Sequence, residues 1–321
     1  MAGTTSPAPI EALIERVAQL DEATAAAIER IVERAAVHDR HSPIGEHTFV
    51  RLQEGEHDTF GLVARFDDVL VAYAQATRYP DHPPLPSRLA AEILVDPPLR
   101  GRGLARALVD RLIAAAHDAR VERLDVWAHH ADAAAIGLAG AYGMVPSRQL
   151  WQMALRLDSV APHHRAPPAA DGVVLRRFRS GEDEPTLIGL IRQAFTEHPE
   201  NAVFDAEAMA ARASLPWFDP SAILLAEDAA SGRTLGMHWM KIEPPVGEVY
   251  ILAVAPEAHG RGIGRLLLLS GLQQMRERGI GVAILYVDAG NDAAIGLYRA
   301  AGFRFEHLDT CYSLTLASAA A

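Results

Sequence analysis

Val95-Asp-Pro-Pro-Leu-Arg-Gly-Arg-Gly-Leu-Ala-Arg106 and Val254-Ala-Pro-Glu-Ala-His-Gly-Arg-Gly-Ile-Gly-Arg265 are two versions of one pattern. Gly103 and Gly262 stand 159 residues apart. Two later landmarks keep that spacing: Ala134-Ala-Ile-Gly-Leu138 returns as Ala293-Ala-Ile-Gly-Leu297, and Gly143 as Gly302. One matching pair is compatible with chance; a constant offset across separated motifs marks a duplication. The 321 residues therefore read as two copies of an ordinary-sized domain, 1–157 and 172–321. Between them Asp158–Asp171 is rich in Pro and Ala, without periodicity, and reads as a linker. His163 and His164 in it have no further ligands at metal-binding spacing.

Each copy alternates element types. In the second, helical periodicity covers Glu184–Phe195, and strands are expected at Ala222–Glu227, Gly236–Ile242 and Val249–Val254. A helix opens at the glycine-rich turn and runs to Arg278, where Gly279 stops it. A strand at Ala283–Val287, a helix at Asp292–Ala301 ended by Gly302, and a strand near Cys311–Leu316 complete that copy. The first copy repeats the later part: strand Ala91–Val95, helix Gly103–Ala119, strand Leu124–Trp127, helix Ala133–Tyr142 and strand Trp151–Leu157. This mixture predicts two α/β or α+β domains.

Composition excludes several function classes. Acidic residues outnumber basic ones by 41 to 30, which argues against a general nucleic-acid or anionic-membrane binder. The single cysteine, Cys311, rules out a disulfide-stapled scaffold. No apolar run reaches a membrane span, and no basic region followed by an apolar stretch opens the chain. A cytoplasmic protein, acting as a monomer and needing no metal, is the expectation.

The turn His259-Gly-Arg-Gly-Ile-Gly264 lies between a strand and a long helix. Glycines let a phosphate approach the backbone closely, and the first N–H groups of a helix point outward unsatisfied. With the helix dipole they form a cradle for a pyrophosphate. No Gly-Lys-Ser/Thr triplet follows, so this is not a P-loop. The mid-domain position, without an acidic residue about twenty positions on, does not fit a dinucleotide-binding first turn.

What remains resembles the pyrophosphate-binding turn of the GNAT acetyltransferases, Arg/Gln-x-x-Gly-x-Gly/Ala. Arg100-Gly-Arg-Gly-Leu-Ala105 fits it fully, and His259-Gly-Arg-Gly-Ile-Gly264 departs at its first residue. The resemblance implies two tandem domains, each a mixed twisted sheet flanked by helices, with acetyl-CoA as co-substrate. It implies that acyl-CoA lies along Ile93, Leu94 and Val95 in the first copy and Leu252, Ala253 and Val254 in the second, where the strand splays from its neighbour. The turns would contribute Gly101, Arg102, Gly103, Leu104, Ala105 and Arg106, and His259, Gly260, Arg261, Gly262, Ile263, Gly264 and Arg265. The segment Asn291, Asp292, Ala293, Ala294, Ile295 and Gly296 resembles the family's other recurrent element beside the CoA arm.

Acetyl transfer to an amine needs a base for the ammonium proton, a donor for the oxyanion and an acid for the leaving thiolate. Glu248, on the strand leading to the turn, is the candidate base, and Tyr298 the candidate acid. The N–H of Leu252 or Val254 would face the oxyanion. At the 159 offset the first copy has Leu89 and Ala139 in their places, and neither moves a proton. The second copy is therefore expected to be catalytic, and the first to keep a CoA-like turn without the chemistry.

A closer resemblance is to tandem members of the family that acetylate the cysteinyl amine of a cysteinyl-glucosaminyl-inositol. Its segments are Pro43–Glu46, His198–Glu200, Trp217–Pro220, His238–Lys241, Gly247–Leu252 and Leu285–Val287. It implies acceptor contacts from Glu46, Glu200, Lys241, Glu248 and Tyr286, Glu46 reaching across from the first domain. Carboxylates suit a polyol bearing one cationic amine. Lys241 is the only lysine among 30 basic residues, and a compact ammonium is not equivalent to a guanidinium. Asp219 reads as a helix or turn cap. Other acceptors (an aminoglycoside, a polyamine, a protein) and a non-catalytic acyl-CoA-binding module remain as alternatives.

Overall fold

The structure, a computed structural model, describes residues 8–39, 41–45, 58–80, 86–130, 132–159, 172–195 and 204–316. Packing divides the chain into two compact units. Met1–Gln149 and Leu308–Ala321 form one, and Leu150–His307 the other. The division is therefore not a single cut at the linker: two long strands, β6 (Val145–Arg156) and β12 (Arg304–Thr315), each give one end to each unit. The later half of β6 pairs within the second unit, and Thr310–Thr315 of β12 pairs within the first.

In the first unit the order along the chain is β1 (Leu13–Val17), α1 (Glu22–Asp39), β2 (Thr59–Phe66), β3 (Val69–Tyr79), β4 (Arg88–Val95), α2 (Leu104–Asp118), β5 (Arg123–Ala128) and α3 (Ala133–Ala141). The sheet runs β1-β2-β3-β4-β5-β12-β6. Strands β4 and β5 are parallel, and α2 is the crossover that parallel neighbours require. Its buried stripe, Leu104, Leu108, Leu112 and Ala115, has the spacing of one helical face.

The second unit repeats this plan with β7 (Val173–Arg177), α4 (Glu184–Ala194), α5 (Ala206–Ala213), β8 (Ile223–Asp228), β9 (Thr234–Glu243), β10 (Val246–Val254), α6 (Ile263–Glu277), β11 (Val282–Asp288) and α7 (Asp292–Ala300). Its sheet runs β12-β6-β11-β10-β9-β8-β7, with β10 and β11 parallel and α6 between them in sequence. Ile263, Leu267, Gly271 and Met275 of α6 are buried. Leu267 is fully buried, so truncating it to alanine costs roughly 2–5 kcal/mol. Gly279 ends the helix region at φ +79°, a conformation that favours glycine.

All elements expected in both copies are present, with shifted ends. Strand β12 begins at Arg304 rather than Cys311, and β6 at Val145 rather than Trp151. Their early residues mix polar and charged side chains with exposed apolar ones such as Val145 and Phe305, and earn their strand conformation from long-range pairing, which local periodicity does not register. Ala222 belongs to a short 3-10 turn capped by Asp219, whose carboxylate accepts the Ser221 N–H at 2.8 Å, as the cap reading expects. Among the described residues no helix is long and apolar enough to cross a membrane.

Candidate active site

The second unit builds its site on an interrupted ladder. Strands β10 and β11 pair at Val246↔Val282, Gly247↔Ala283 and Glu248↔Ile284. Both continue, to Val254 and Asp288, without further pairing to each other. On its other edge β10 stays paired with β9 as far as Val254↔Gly236. Backbone groups of alternate residues between Val249 and Val254 are thus directed toward a gap rather than a strand. An extended amide-bearing ligand can pair there as a strand would.

The gap leads to the glycine turn. Gly260 and Gly262 have φ of +75° and +77°, and a Cβ built on either meets no atom within 4 Å. Backbone conformation requires the glycines, and the face over them is open. Helix α6 starts at Ile263 with Gly262 as its cap and no side chain satisfying its first N–H groups. His259 departs from the arginine expected at this place, yet its Nε2 lies 3.1 Å from the Val254 carbonyl oxygen. In the first unit Arg100 Nε donates to the equivalent carbonyl, that of Val95, at 3.3 Å. The substitution therefore preserves the bond that folds the turn back on its strand. Turn, gap and helix N-terminus together fit an extended ligand ending in a pyrophosphate.

Of the candidate chemical groups, Glu248 and Tyr286 are on the two strands that border the gap. Glu248 occupies the last position of β10 paired with β11, with Lys241 of β9 as its partner on the other edge. The Lys241 ammonium is 2.7 Å from a Glu243 carboxylate oxygen and 5.5 Å from the centre of the Trp217 ring. Tyr286 follows Ile284, the other neighbour of Glu248, by two residues and so shares its face; its hydroxyl accepts from Gln152 Nε2 at 2.7 Å. Tyr298 is on α7, buried, with its ring edge-on to Phe303. Burial pushes its phenol up to about 12, so it holds its proton across the physiological range. Asn291 caps α7 through its side-chain oxygen, which accepts the Ala294 N–H at 3.0 Å, leaving its amide nitrogen for any ligand. Asp292–Gly296 form the first turns of that helix. Glu46 and Glu200 lie outside the described residues.

Comparison with known proteins decides the family. The family model of the GNAT acetyltransferases matches residues 26–144 and again 187–303. The mycothiol acetyltransferase of Nocardia farcinica is 38% identical over 305 residues, covering 92% of this chain and 95% of that protein. The mycothiol acetyltransferase of Thermomonospora curvata is 38% identical over 284 residues, covering 88% and 91%. A tandem GNAT protein from the clavulanic acid biosynthesis pathway superposes with a TM-score of 0.77 over 95% of this chain and 98% of that one, at 18% identity, a likeness of fold. The chain belongs to the GNAT acetyltransferases and, within them, to the mycothiol acetyltransferase group.

The two GNAT copies are not equivalent. In the first, the β4–β5 ladder runs on through Glu92↔Trp127, next to the end of β5 at Ala128, so Ile93–Val95 have no continuing strand across a gap. The glycine turn survives, with φ of +74° at Gly101 and +87° at Gly103. Arg102 on it donates to the Ala8 carbonyl and its own carbonyl accepts the Ile10 N–H, both at 3.0 Å. Leu104 and Arg106 continue into α2 with Ala105 between them. Arg100 is held by Asp39 through two bonds of 2.7 Å, which keep that carboxyl at about 2. Across the end of the ladder, His129 lies 2.9 Å from both Glu92 and Asp309.

Sequence reasoning missed the bulge beside Glu248. The β9–β10 register shifts between Val249 and Ile251, leaving Tyr250 as the extra residue. Its hydroxyl accepts from Arg212 Nε at 2.9 Å, and its ring is boxed by Trp217 and Trp239 with centroids 5.1 and 5.4 Å away. Adjacent like-facing residues are the signature of a bulge only when the partner strand is known, so a single strand read alone could not disclose it.

Proposed function

We propose that this acetyltransferase carries the acetyl group of acetyl-CoA to the cysteinyl amine of 1D-myo-inositol 2-(L-cysteinylamino)-2-deoxy-α-D-glucopyranoside, yielding mycothiol, and does so in its second unit. The observation that carries the placement is the β10–β11 ladder, which stops at Glu248 while its first-unit counterpart runs on. The acceptor is assigned from the named relatives, which resemble this chain along most of its length. The protein works in the cytoplasm as a monomer with this small-molecule amine as its partner.

In this reading the turn His259–Arg265 holds the pyrophosphate of acetyl-CoA, the first turn of α7 flanks it, and the edge of Leu252–Val254 pairs with its amide-bearing arm. Glu248 takes the ammonium proton, freeing the nitrogen lone pair to add to the thioester carbonyl. The N–H of Leu252 or Val254 holds the resulting oxyanion. As the carbon–sulfur bond breaks, Tyr298, kept protonated by its high phenol pKa, gives its proton to the departing thiolate; the nitrogen, becoming an amide, sheds its second proton, which restores the phenol, and Glu248 releases the first to solvent. Lys241 and Tyr286, with Glu46 and Glu200, bind the acceptor. The first unit carries a CoA-like turn and no transfer chemistry.

The experiment is acetyl-CoA turnover with a panel of amines. Turnover with cysteinyl-glucosaminyl-inositol, and little with aminoglycosides, polyamines or peptides, supports the reading; the opposite preference overturns it.

A further inference from the structure

His238 sits in β9 with no exposed surface. Its Nδ1 is 3.0 Å from the Leu267 carbonyl oxygen of α6, and since a carbonyl only accepts, Nδ1 carries the proton and donates. Burial pushes the ring down to about 4, so the imidazole is neutral. Its Nε2 is buried with no hydrogen-bond partner. Such an orphaned group costs roughly 1–3 kcal/mol, a cost that an aliphatic side chain would avoid.

The surroundings are shaped around this ring. A Cβ on Gly271 would fall 2.2 Å from Nδ1 and 2.3 Å from Cε1 of His238. A Cβ on Gly236, two residues earlier on β9, would fall 2.9 Å from Leu267 Cδ1 and 3.2 Å from Ile263 Cγ2. Two glycines thus let α6 settle closely onto β9. Apolar burial is non-directional, whereas a hydrogen bond ties two named atoms at a set distance and angle, so this bond adds an axial constraint to the packing. Leu267 is four residues past Ile263, so the bond acts about 6 Å along the axis from the glycine turn. On the other side, His238 is the cross-strand partner of Leu252 on the open edge of β10.

We propose that His238 is a positioning residue for the acetyl donor. Through Leu267 it sets the axial register of α6 against β9 and β10, and with it the distance between the turn at Gly260–Gly264 and the open edge at Leu252–Val254. The inference rests on the reading that the second unit holds acetyl-CoA there.

The test compares three variants of the full chain. His238→Leu removes the donor, His238→Asn keeps an N–H near the place of Nδ1, and His238→Gln carries its amide near the place of Nε2. The leucine variant is expected to raise KM for acetyl-CoA roughly tenfold, the worth of one ordinary hydrogen bond. Its kcat at saturating donor and its KM for the acceptor stay within about twofold, because a misplaced turn weakens donor binding alone. The asparagine variant stays close to wild type, and the glutamine variant follows leucine. An unchanged KM in the leucine variant, or asparagine as impaired as leucine, overturns the proposal. If the leucine variant fails to fold, asparagine and glutamine decide: a raised KM in glutamine alone supports it, and equal values overturn it. Calorimetry on the wild type separates the underlying reading, which falls if no acetyl-CoA binds at all.

Discussion

Glu248 and Lys241 stand opposite each other on β10 and β9, at the last position where β10 is paired on both edges. Directly opposite residues on one sheet face have Cβ atoms about 5 Å apart. A carboxylate at the mouth of the gap is placed to accept a proton from an ammonium entering there. Glu248→Gln is therefore expected to lower kcat by about 10²–10⁴-fold, the range for losing a general base. Acetyl-CoA affinity measured by calorimetry should be retained. A kcat unchanged by the substitution would remove Glu248 from the base role.

Lys241 answers a separate question. Its ammonium lies between the Glu243 carboxylate and the Trp217 ring, a compact arrangement into which a planar guanidinium does not fit equivalently. Lys241→Arg, though charge-conserving, should raise KM for the acceptor about tenfold, as a lost charged contact would, with KM for acetyl-CoA held. Steady-state kinetics with each substrate varied in turn checks this, and a rise in the acetyl-CoA KM alone would count against an acceptor contact.

The asymmetry of the two copies predicts opposite outcomes for one substitution. Gly103 and Gly262 both have φ in the left-handed region, at +87° and +77°, where a β-branched residue is strained. Gly262→Val should abolish most turnover by distorting the turn beside the gap. Gly103→Val should leave turnover within about twofold, since substitutions away from the reacting groups leave transition-state binding unchanged. Calorimetric stoichiometry before and after each change reports which turn binds acetyl-CoA. Equal loss of turnover from both would mean that the first copy takes part in catalysis.

Tyr298 gives a prediction in pH. Burial raises its phenol to about 12, so in the free protein it does not ionise below about pH 10. Tyr298→Phe preserves the edge contact with Phe303 and removes only the hydroxyl. It should lower kcat by about 10²-fold or more if Tyr298 is the acid. The basic limb of kcat/KM in the wild type, if it falls below pH 9, then belongs to another group, and the phenylalanine variant should keep that limb in place.

How much of this was legible in the sequence follows from the range of each signal. The two turns, the duplication and the helices after them were readable because glycine placement and apolar periodicity are local. Glu248 and Tyr298 stood out through their replacement by Leu89 and Ala139 in a copy that keeps the same turn. The interrupted β10–β11 ladder was not readable, because it is set by which strands pair and for how long. Nor was the bulge at Tyr250, which depends on the register against β9. The exchange of strand ends between units has the same origin, in that β6 and β12 look like ordinary final strands of their own copies. The role of His259 emerged only when its bond to Val254 was seen to match that of Arg100 to Val95.

The end of the first unit's ladder supplies a prediction about stability. Burial alone would lower the pKa of His129, but hydrogen bonds to Asp309 and Glu92 outweigh it and raise the ring to about 10. In the unfolded chain the same group titrates near its ordinary value of about 6.5. A folded pKa above the unfolded one means that the folded state binds the proton more tightly. The contribution is therefore complete below about pH 6.5 and is lost as pH rises toward 10. Replacing His129 by glutamine, neutral at every pH, should lower the melting temperature most near pH 6, and by progressively less at pH 8, 9 and 10. The asparagine-capped turn of α7 and the ladder of the second unit contain no part of this cluster, so acetyl transfer at neutral pH and moderate temperature should persist in the variant. A difference in melting temperature that stays constant from pH 6 to pH 10 would show that His129 stabilises the unit by packing rather than by charge.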